Sequence, residues 1–133
     1  VAALTGLATL YKPADTQEII TALQAFLAAH QCRSADIDLL ITGRNGNAGE
    51  DAAYGAITQA LFPHTAAAGF KHLSGEYPTA AAFAVWMGAR ILQLQQAPQG
   101  ILFNGAAPAK FRKVLIYNQY QGTHHSFILL NTA

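Results

Sequence analysis

Two patterns of apolar residues alternate along the chain: short continuous runs and longer stretches with helical spacing. Short runs bounded by Gly, Pro or Asn favour buried strands, whereas apolar positions three and four residues apart favour helices packed on one face. The predicted strands are residues 1–10, 37–42, 65–70, 100–103, 113–118 and 126–131, and the predicted helices are residues 15–30, 50–61 and 78–95. This order predicts a single α/β domain in which helices pack on one mixed sheet.

Local signals mark the beginnings of the three predicted helices. Asp15, followed three residues later by Glu18, has the spacing of a capping box. Glu50 and Asp51 favour the N-terminus of the second helix, because carboxylates interact well with the helix dipole there. Pro78 suits the first turn of the third helix. At the end of the chain, Gln121-Gly122 predicts a turn between the last two strands.

Three polar turns follow predicted strands, at residues 42–49, 72–77 and 118–125. Ligands of α/β proteins commonly bind beyond the carboxyl ends of the strands, so these turns are candidates for a functional site. Every α/β protein has such loops, however. The pattern alone therefore leaves open whether the turns form a site or are ordinary connections.

The second turn carries the most specific motif. Lys71 ends an apolar run, Gly75 follows four residues later, and a helix rich in alanine comes next. This arrangement resembles the Lys-x-x-x-Gly-His motif that condensing enzymes of the β-ketoacyl synthase family carry before a small-residue helix. The histidine of that motif is catalytic in the family. Here its position is taken by Glu76.

The third and first turns are similar to two further motifs of that family, in the same order. Asn118, Tyr120 and Gly122 fall on the asparagine, an aromatic and a glycine of Asn-Ser-Phe-Gly-Phe-Gly-Gly, whereas Gln119 and Gln121 depart from it. The His-Gly-Thr-Gly-Thr motif is degenerate here, and its histidine would fall near residues 43–45. No histidine occurs between His30 and His64.

The resemblance implies a fold and a domain boundary. It covers nearly the whole chain and identifies residues 1–133 as a single thiolase-like C-terminal domain whose N-terminal half is absent from this sequence. We expect a mostly parallel mixed sheet of about five strands, with helices packed on it and a C-terminal antiparallel hairpin. Residues 1–10, 37–42 and 65–70 would be parallel neighbours. The loops at Asn45, Glu76 and Gly122 would then converge at one edge.

The resemblance also implies a chemistry that this chain has lost. In the family, a cysteine of the N-terminal half takes an acyl group from a carrier protein, and two histidines of the C-terminal half stabilise the enolate formed on malonyl decarboxylation. Hydrogen-bond donors aimed at the developing negative charge are required. An ionised Glu76 only accepts hydrogen bonds and would repel malonate. We expect a chain-length-factor-like partner of an active synthase in a fatty acid or polyketide pathway.

Two other hypotheses stay open. A buried, protonated glutamic acid donates a hydrogen bond, because desolvation raises its pKa, so the full protein would be a divergent acyltransferase or ketosynthase using Glu76 and Lys71. Alternatively, the chain is an independent α/β binding module. The resemblance places catalytic-type residues at Lys71 and Glu76, and substrate-binding residues at Asn45, Gly75, Asn118, Tyr120 and Gly122.

Composition narrows the set of partners. Of 133 residues, 52% are hydrophobic and only 11% charged, which indicates an apolar surface that a partner covers. With a net charge of +1, no long basic run and no aromatic stacking platform at the one basic cluster, residues 110–113, nucleic-acid binding is not expected. No apolar stretch is long enough to span a membrane. The expected partners are the N-terminal half of the same protein, a ketosynthase in a homo- or heterodimer, and an acyl carrier protein.

The remaining candidates for chemistry favour structural roles. Cys32 is the only cysteine, so no internal disulfide is possible and a reducing cytoplasm is expected. His124 and His125 are adjacent on a strand and would point to opposite faces, which argues against a metal site. Phe83, Trp86 and Met87 have helical spacing and are expected in the core. We expect no cofactor. The start at Val1, inside an apolar element, indicates a segment of a longer polypeptide.

Overall fold

A computed structural model describes residues 2–44, 48–70, 80–97, 102–104, 110–120 and 123–132. The strands are β1 (Ala2–Tyr11), β2 (Leu39–Thr42), β3 (Ala66–Gly69), β4 (Leu102–Asn104), β5 (Lys113–Tyr120) and β6 (His124–Thr132). The helices are α1 (Thr16–Ala29), α2 (Ala48–Leu61) and α3 (Ala80–Leu94), with a 3₁₀ turn at Ser34–Asp36. The order of elements is the one predicted from the apolar pattern.

The strands form one sheet in the order β1-β6-β5-β2-β3-β4. β2 pairs in parallel with β3 and with β5. The pairs β1 with β6, β5 with β6 and β3 with β4 are antiparallel. The sheet is therefore mixed, and the expectation of a mostly parallel sheet is wrong. The central, fully buried strand is β2, as expected for a continuous apolar run enclosed on both faces.

The first strand lies elsewhere than predicted. β1 is at the edge of the sheet and pairs antiparallel with β6, so it is not a neighbour of β2 or β3. The reason lies in burial: Phe127–Leu130 of β6 is buried and requires a strand on either side, whereas β1 is half exposed along its length. A strand with exposed apolar residues such as Leu4 and Leu7 cannot occupy the centre of an enclosed sheet.

Helices cover both faces of the sheet. α3 packs on one face through Ala84, Met87 and Ile91, and we call this side the α3 face. α1 and α2 pack on the other side, the α1/α2 face, through residues such as Leu23 and Ile57. Gly88 brings α3 close to the sheet, since a Cβ there would lie 2.8 Å from Leu130 Cδ1. The result is a three-layer α/β/α domain.

The N-terminus of α1 is capped by its own sequence. Asp15 Oδ1 accepts a hydrogen bond from the Glu18 N–H at 2.9 Å, and Glu18 Oε2 accepts one from the Ala14 N–H at 2.7 Å. The second bond reaches one residue further back than in a capping box. Both nevertheless satisfy backbone donors at the point where the chain leaves β1.

The last two strands run antiparallel over their whole described length. Lys113 lies opposite Asn131, and Asn118 lies opposite Ser126. The turn predicted at Gln121-Gly122 falls outside the described residues.

Candidate functional site

The candidate site lies at the edge where β3, β2 and β5 end. These three strands are parallel and adjacent, so their carboxyl ends, at Gly69, Thr42 and Tyr120, are on the same side of the sheet. Ligands of α/β proteins bind at this edge. The pairing thus brings together the points from which the three predicted loops leave the sheet.

Most of the predicted site residues fall outside the part of the chain that the structure describes. These are Asn45, Lys71, Gly75, Glu76 and Gly122. Tyr120 is the last residue of β5, and its backbone continues the strand. The convergence of the three loops themselves therefore stays a prediction. Asn118 is the one predicted site residue whose side chain is described.

Asn118 is buried at this edge and is only partly satisfied. Its side chain is 6% exposed, and within the part of the chain that the structure describes its Oδ1 atom has no hydrogen-bond partner. Along β5, side chains alternate between faces, so Asn118 lies on the α3 face with Val114 and Ile116. An enclosed acceptor without a donor is costly, and such atoms are rare in native proteins. This oxygen is the most unusual polar atom of the described site.

The end of β2 is tied to both neighbouring strands. Thr42 is buried, and its hydroxyl donates to the carbonyl oxygen of Ala68 in β3 at 3.3 Å. The Gly43 N–H donates to the carbonyl oxygen of Tyr117 in β5 at 3.2 Å. β2 ends at Thr42, whereas β5 continues past the paired Tyr117 through Asn118 to Tyr120.

Sequence reasoning missed a buried polar group on the opposite, α1/α2 face. The Tyr54 hydroxyl of α2 accepts a hydrogen bond from the Gln119 N–H at 2.8 Å, and its ring lies 5.0 Å from that of Tyr117. The Tyr117 hydroxyl is 2.8 Å from Nδ1 of His125. Burial raises the pKa of Tyr117 well above its ordinary value, so the phenol stays neutral. The alternation of Tyr117 and Gln119 along β5 was the available signal.

The two adjacent histidines of β6 separate as predicted. His125 is 3% exposed on the α1/α2 face, whereas His124 is exposed and its ring lies 4.8 Å from that of Tyr11. Among the described residues, no group of three or more His, Cys, Asp or Glu side chains is arranged to hold a metal ion. Cys32 is buried, and burial raises the pKa of its thiol despite the opposing charge of Lys113.

Three aromatic side chains connect the candidate edge with the outside of α3. Phe70, directly after β3, is buried, and its ring lies 6.4 Å from that of Phe83. The ring of Phe83 is in turn 5.6 Å from that of Trp86. Met87 is buried as predicted, but Trp86 is 58% exposed, so its predicted place in the core is wrong. Consecutive helical residues differ in direction by about 100°, and Trp86 and Met87 cannot share one face.

The α3 side of the domain exposes several large apolar side chains. Leu4 and Leu7 of β1 lie opposite Leu130 and Ile128 of the α3-face core, and Tyr11 lies opposite His124. In the described part of the chain, the exposed large hydrophobic residues are Leu4, Leu7, Tyr11, Trp86 and Leu94. They belong to β1 and α3. This is the apolar surface that the low charge content predicts.

The groove found in the described part of the domain lies at the opposite edge of the sheet. It encloses about 680 Å³ near the amino ends of β2 and β3, with Ile37, Asp38, Pro63, His64 and Thr65 among its lining residues. Asn118, the predicted site residue whose side chain is described, does not border it. None of the described helices is long and apolar enough to span a membrane.

Comparison with known proteins identifies the fold. No protein-family model and no curated protein sequence matches the chain. The oxazolomycin ketosynthase domain from Streptomyces albus is similar at a TM-score of 0.73 and 16% identity, over 99% of this chain and 45% of that one. A type II PKS ketosynthase in complex with its acyl-carrier protein gives a TM-score of 0.75 at 16% identity, over 99% of this chain and 38% of that one.

A third similar structure is a ketosynthase in complex with its chain length factor from Xenorhabdus doucetiae. The TM-score is 0.70 at 15% identity, over 99% of this chain and 39% of that one. The chain thus spans less than half the length of the solved structures it resembles. Its fold is similar to that of part of a ketosynthase, as the motifs predicted.

Proposed function

We propose that the chain is the C-terminal domain of a ketosynthase-like condensing protein that lacks the catalytic histidines and acts as the partner of an active synthase. The observation that carries the proposal is the agreement of the fold with ketosynthases over 99% of the chain, combined with Glu76 at the position of a catalytic histidine. The fold supports a condensing-type domain. The substitution supports a role other than catalysis.

The chemistry of the substitution favours loss of decarboxylation. The enolate oxygen of a decarboxylating malonyl thioester needs hydrogen-bond donors in a dry site. The carboxylate of Glu76 supplies none, and no histidine occurs between His30 and His64 to replace the first donor. Both of the family's donors are therefore missing from this sequence.

The exposed apolar residues on the α3 side support a covering partner. A domain that leaves Leu7, Tyr11 and Trp86 more than half exposed is expected to bury them against another domain. We propose the complementary thiolase-like half as the first occupant of this surface. Solved relatives include one ketosynthase with its acyl-carrier protein and one with its chain length factor. We extend both kinds of partner to this protein.

A decarboxylation assay tests the proposal. The full natural polypeptide that contains this chain is incubated with malonyl-loaded carrier protein, alone and together with the active synthase. We expect background carbon dioxide release from the polypeptide alone and product formation only when the synthase is present. Without the synthase, the polypeptide that carries only the Glu76→His substitution also releases carbon dioxide at background, because the other donor is still missing.

Two outcomes would contradict the proposal. Turnover by the polypeptide alone that disappears in Glu76→Gln would support a divergent enzyme that uses Glu76 and Lys71. Failure to bind any synthase or carrier protein, together with a stable monomeric state of the chain, would support an independent α/β binding module.

A further inference from the structure

The ladder between β2 and β5 ends one hydrogen bond early. Thr42 pairs with Tyr117, and the Gly43 N–H donates to the Tyr117 carbonyl oxygen. In a parallel ladder the bonds alternate regularly between the two strands. The next donor in this pattern is the Gln119 N–H, directed toward the place where β2 would continue. Because β2 ends at Thr42, that donor needs another acceptor.

The acceptor comes from α2. The Tyr54 hydroxyl oxygen lies 2.8 Å from the Gln119 nitrogen and accepts its hydrogen bond. Tyr54 is 1% exposed and Gln119 is 4% exposed, so water does not compete for this bond. A side chain of the helix thus replaces the missing strand and fixes the backbone of β5 at its carboxyl end.

The residue beside this anchor is Asn118. Its side chain lies on the opposite face of β5 from that of Gln119, and its buried Oδ1 has no hydrogen-bond partner among the described residues. Because buried acceptors in native proteins are nearly always hydrogen-bonded, we expect this oxygen to accept a bond from a bound ligand. The position of this oxygen is set by the backbone at residues 118 and 119, which the Tyr54 hydroxyl holds.

We propose that Tyr54 is a positioning residue that holds the Asn118 carboxamide ready to accept a hydrogen bond from an N–H donor of a bound ligand. The inference rests on the proposed function for the class of ligand. An oxygen acceptor repels the malonyl carboxylate and forms no hydrogen bond with a thioester carbonyl. The pantetheine arm of a carrier protein offers secondary amide N–H groups, which match it.

The chain offers a matched control for Tyr54. Tyr117 is also fully buried, lies 5.0 Å from Tyr54 by ring centroids, and uses its hydroxyl in one buried bond, to His125. Tyr117→Phe removes that bond and leaves the Gln119 N–H anchored. Tyr54→Phe keeps the ring and removes the hydroxyl that accepts the Gln119 N–H. Both variants therefore remove one phenolic hydroxyl group, but only Tyr54→Phe removes the acceptor of the Gln119 N–H.

The test measures two quantities in the full polypeptide complexed with its synthase. Amide hydrogen exchange reports the Gln119 N–H, and titration with acetyl-pantetheine gives Kd for wild type, Tyr54→Phe, Asn118→Leu, the double variant and Tyr117→Phe. We expect Tyr54→Phe to accelerate exchange at Gln119 and to weaken Kd about fivefold, the size of one hydrogen bond. When Asn118 is already replaced by Leu, the additional Tyr54→Phe substitution changes Kd by less than about twofold, because both residues act on one contact. Tyr117→Phe leaves Kd unchanged.

Each other outcome decides a separate question. The positioning role would be overturned if Tyr54→Phe raised Kd by the same factor in wild type and in Asn118→Leu. An unchanged Kd in Tyr54→Phe would also overturn it. If wild type does not bind acetyl-pantetheine, the ligand class and the proposed carrier-protein partner fail together. In that case the anchor itself is still decided by exchange: a Gln119 N–H equally protected in Tyr54→Phe and wild type rejects it.

Discussion

The two faces of the sheet differ in what covers them. On the α1/α2 face, two helices enclose the apolar core, and none of the large exposed apolar side chains in the described residues lies there. On the α3 face, one helix covers the sheet, and apolar side chains of β1 and α3 stay exposed. We call the α1/α2 face the complete face and the α3 face the open face, because among the described residues only the α3 face exposes large apolar side chains.

The two faces also differ in whether their buried polar atoms have hydrogen-bond partners. The buried bonds of Tyr54 and Tyr117 lie on the complete face and are satisfied there. The unsatisfied Asn118 Oδ1 and the aromatic row that ends at Trp86 lie on the open face. Among the described residues, the unsatisfied amide oxygen and the exposed tryptophan thus occur on the same side, where we place the partner.

The largest expected effect comes from placing a charge on the open face. Trp86→Glu puts a carboxylate in place of an indole ring that is 58% exposed and that we place in the interface with the partner. Truncating a buried interfacial tryptophan commonly costs 2 kcal/mol or more, so we expect association with the complementary half or synthase to weaken by about thirtyfold or more. Titration calorimetry of the two proteins measures the change.

Gln24→Glu is the control for this experiment, because Gln24 is exposed on α1 and belongs to the complete face. It should leave association unchanged. The comparison also predicts that the isolated chain self-associates, and that Trp86→Glu reduces this. Light scattering coupled to size exclusion would contradict the picture if the unmodified chain ran as a clean, stable monomer.

A smaller effect distinguishes how tightly the helices fit the two faces. A methyl group added at Gly88 of α3 would approach Leu130 Cδ1 to 2.8 Å and Val114 Cγ1 to 3.5 Å, so the packed core must shift. At Gly55 of α2 the same methyl group meets only the flexible Arg44 Nη2, at 3.5 Å. We expect Gly88→Ala to destabilise by about 1–2 kcal/mol through overpacking. Gly55→Ala should stabilise by about 0.5–1 kcal/mol through helix propensity.

Urea denaturation of both variants in the same buffer measures the two free energies of unfolding. Opposite signs are the expected result. Equal stabilisation of both would mean that α3 sits loosely on its face. In that event α3 would rely on the partner, and not on the sheet, for its position.

Local sequence determined the elements but not their neighbours. The cap at Asp15 and the strands at residues 113–118 and 126–131 follow from short-range signals. The place of β1 depends on β6, more than a hundred residues away, and nothing within residues 1–10 encodes that pairing. A strand signal indicates extended backbone and does not select the partner strand.

The candidate site shows the same division. Motif spacing selected Asn118, which lies near the carboxyl end of β5, next to the strand β2; its role in a site stays a prediction. It could not identify Tyr54, whose role is to accept a bond from a backbone N–H that becomes free only where β2 stops. Nor could helical spacing show that Trp86 is exposed, since the core of α3 is already filled by Ala84, Met87 and Ile91.

The smallest expected effect concerns a charge that is bonded locally, away from the open face. Asp36 accepts hydrogen bonds from the Arg33 N–H at 2.9 Å and from the Arg33 guanidinium at 3.3 Å, and the backbone bond is the main cause that lowers its pKa. A carboxyl whose pKa is lower in the folded state stabilises above its unfolded pKa, and this contribution is lost as the pH falls through the folded pKa. Asp36→Asn should therefore lose a small amount of stability near neutral pH and converge with wild type well below the ordinary carboxyl pKa of about 3.9.

Arg33→Ala sharpens the test, since it removes the guanidinium and keeps the backbone N–H. The contribution of Asp36 to the pH dependence of stability should largely remain in Arg33→Ala and disappear in Asp36→Asn. Urea unfolding at a series of pH values measures this contribution. Because this pair lies between α1 and β2, flanked by Cys32 and Ile37 of the α1/α2-face core, the difference between the variants should be the same in the isolated chain and in the complex. A difference that changes when the partner is added would mean that the partner also contacts this side, and the division between a complete and an open face would be wrong.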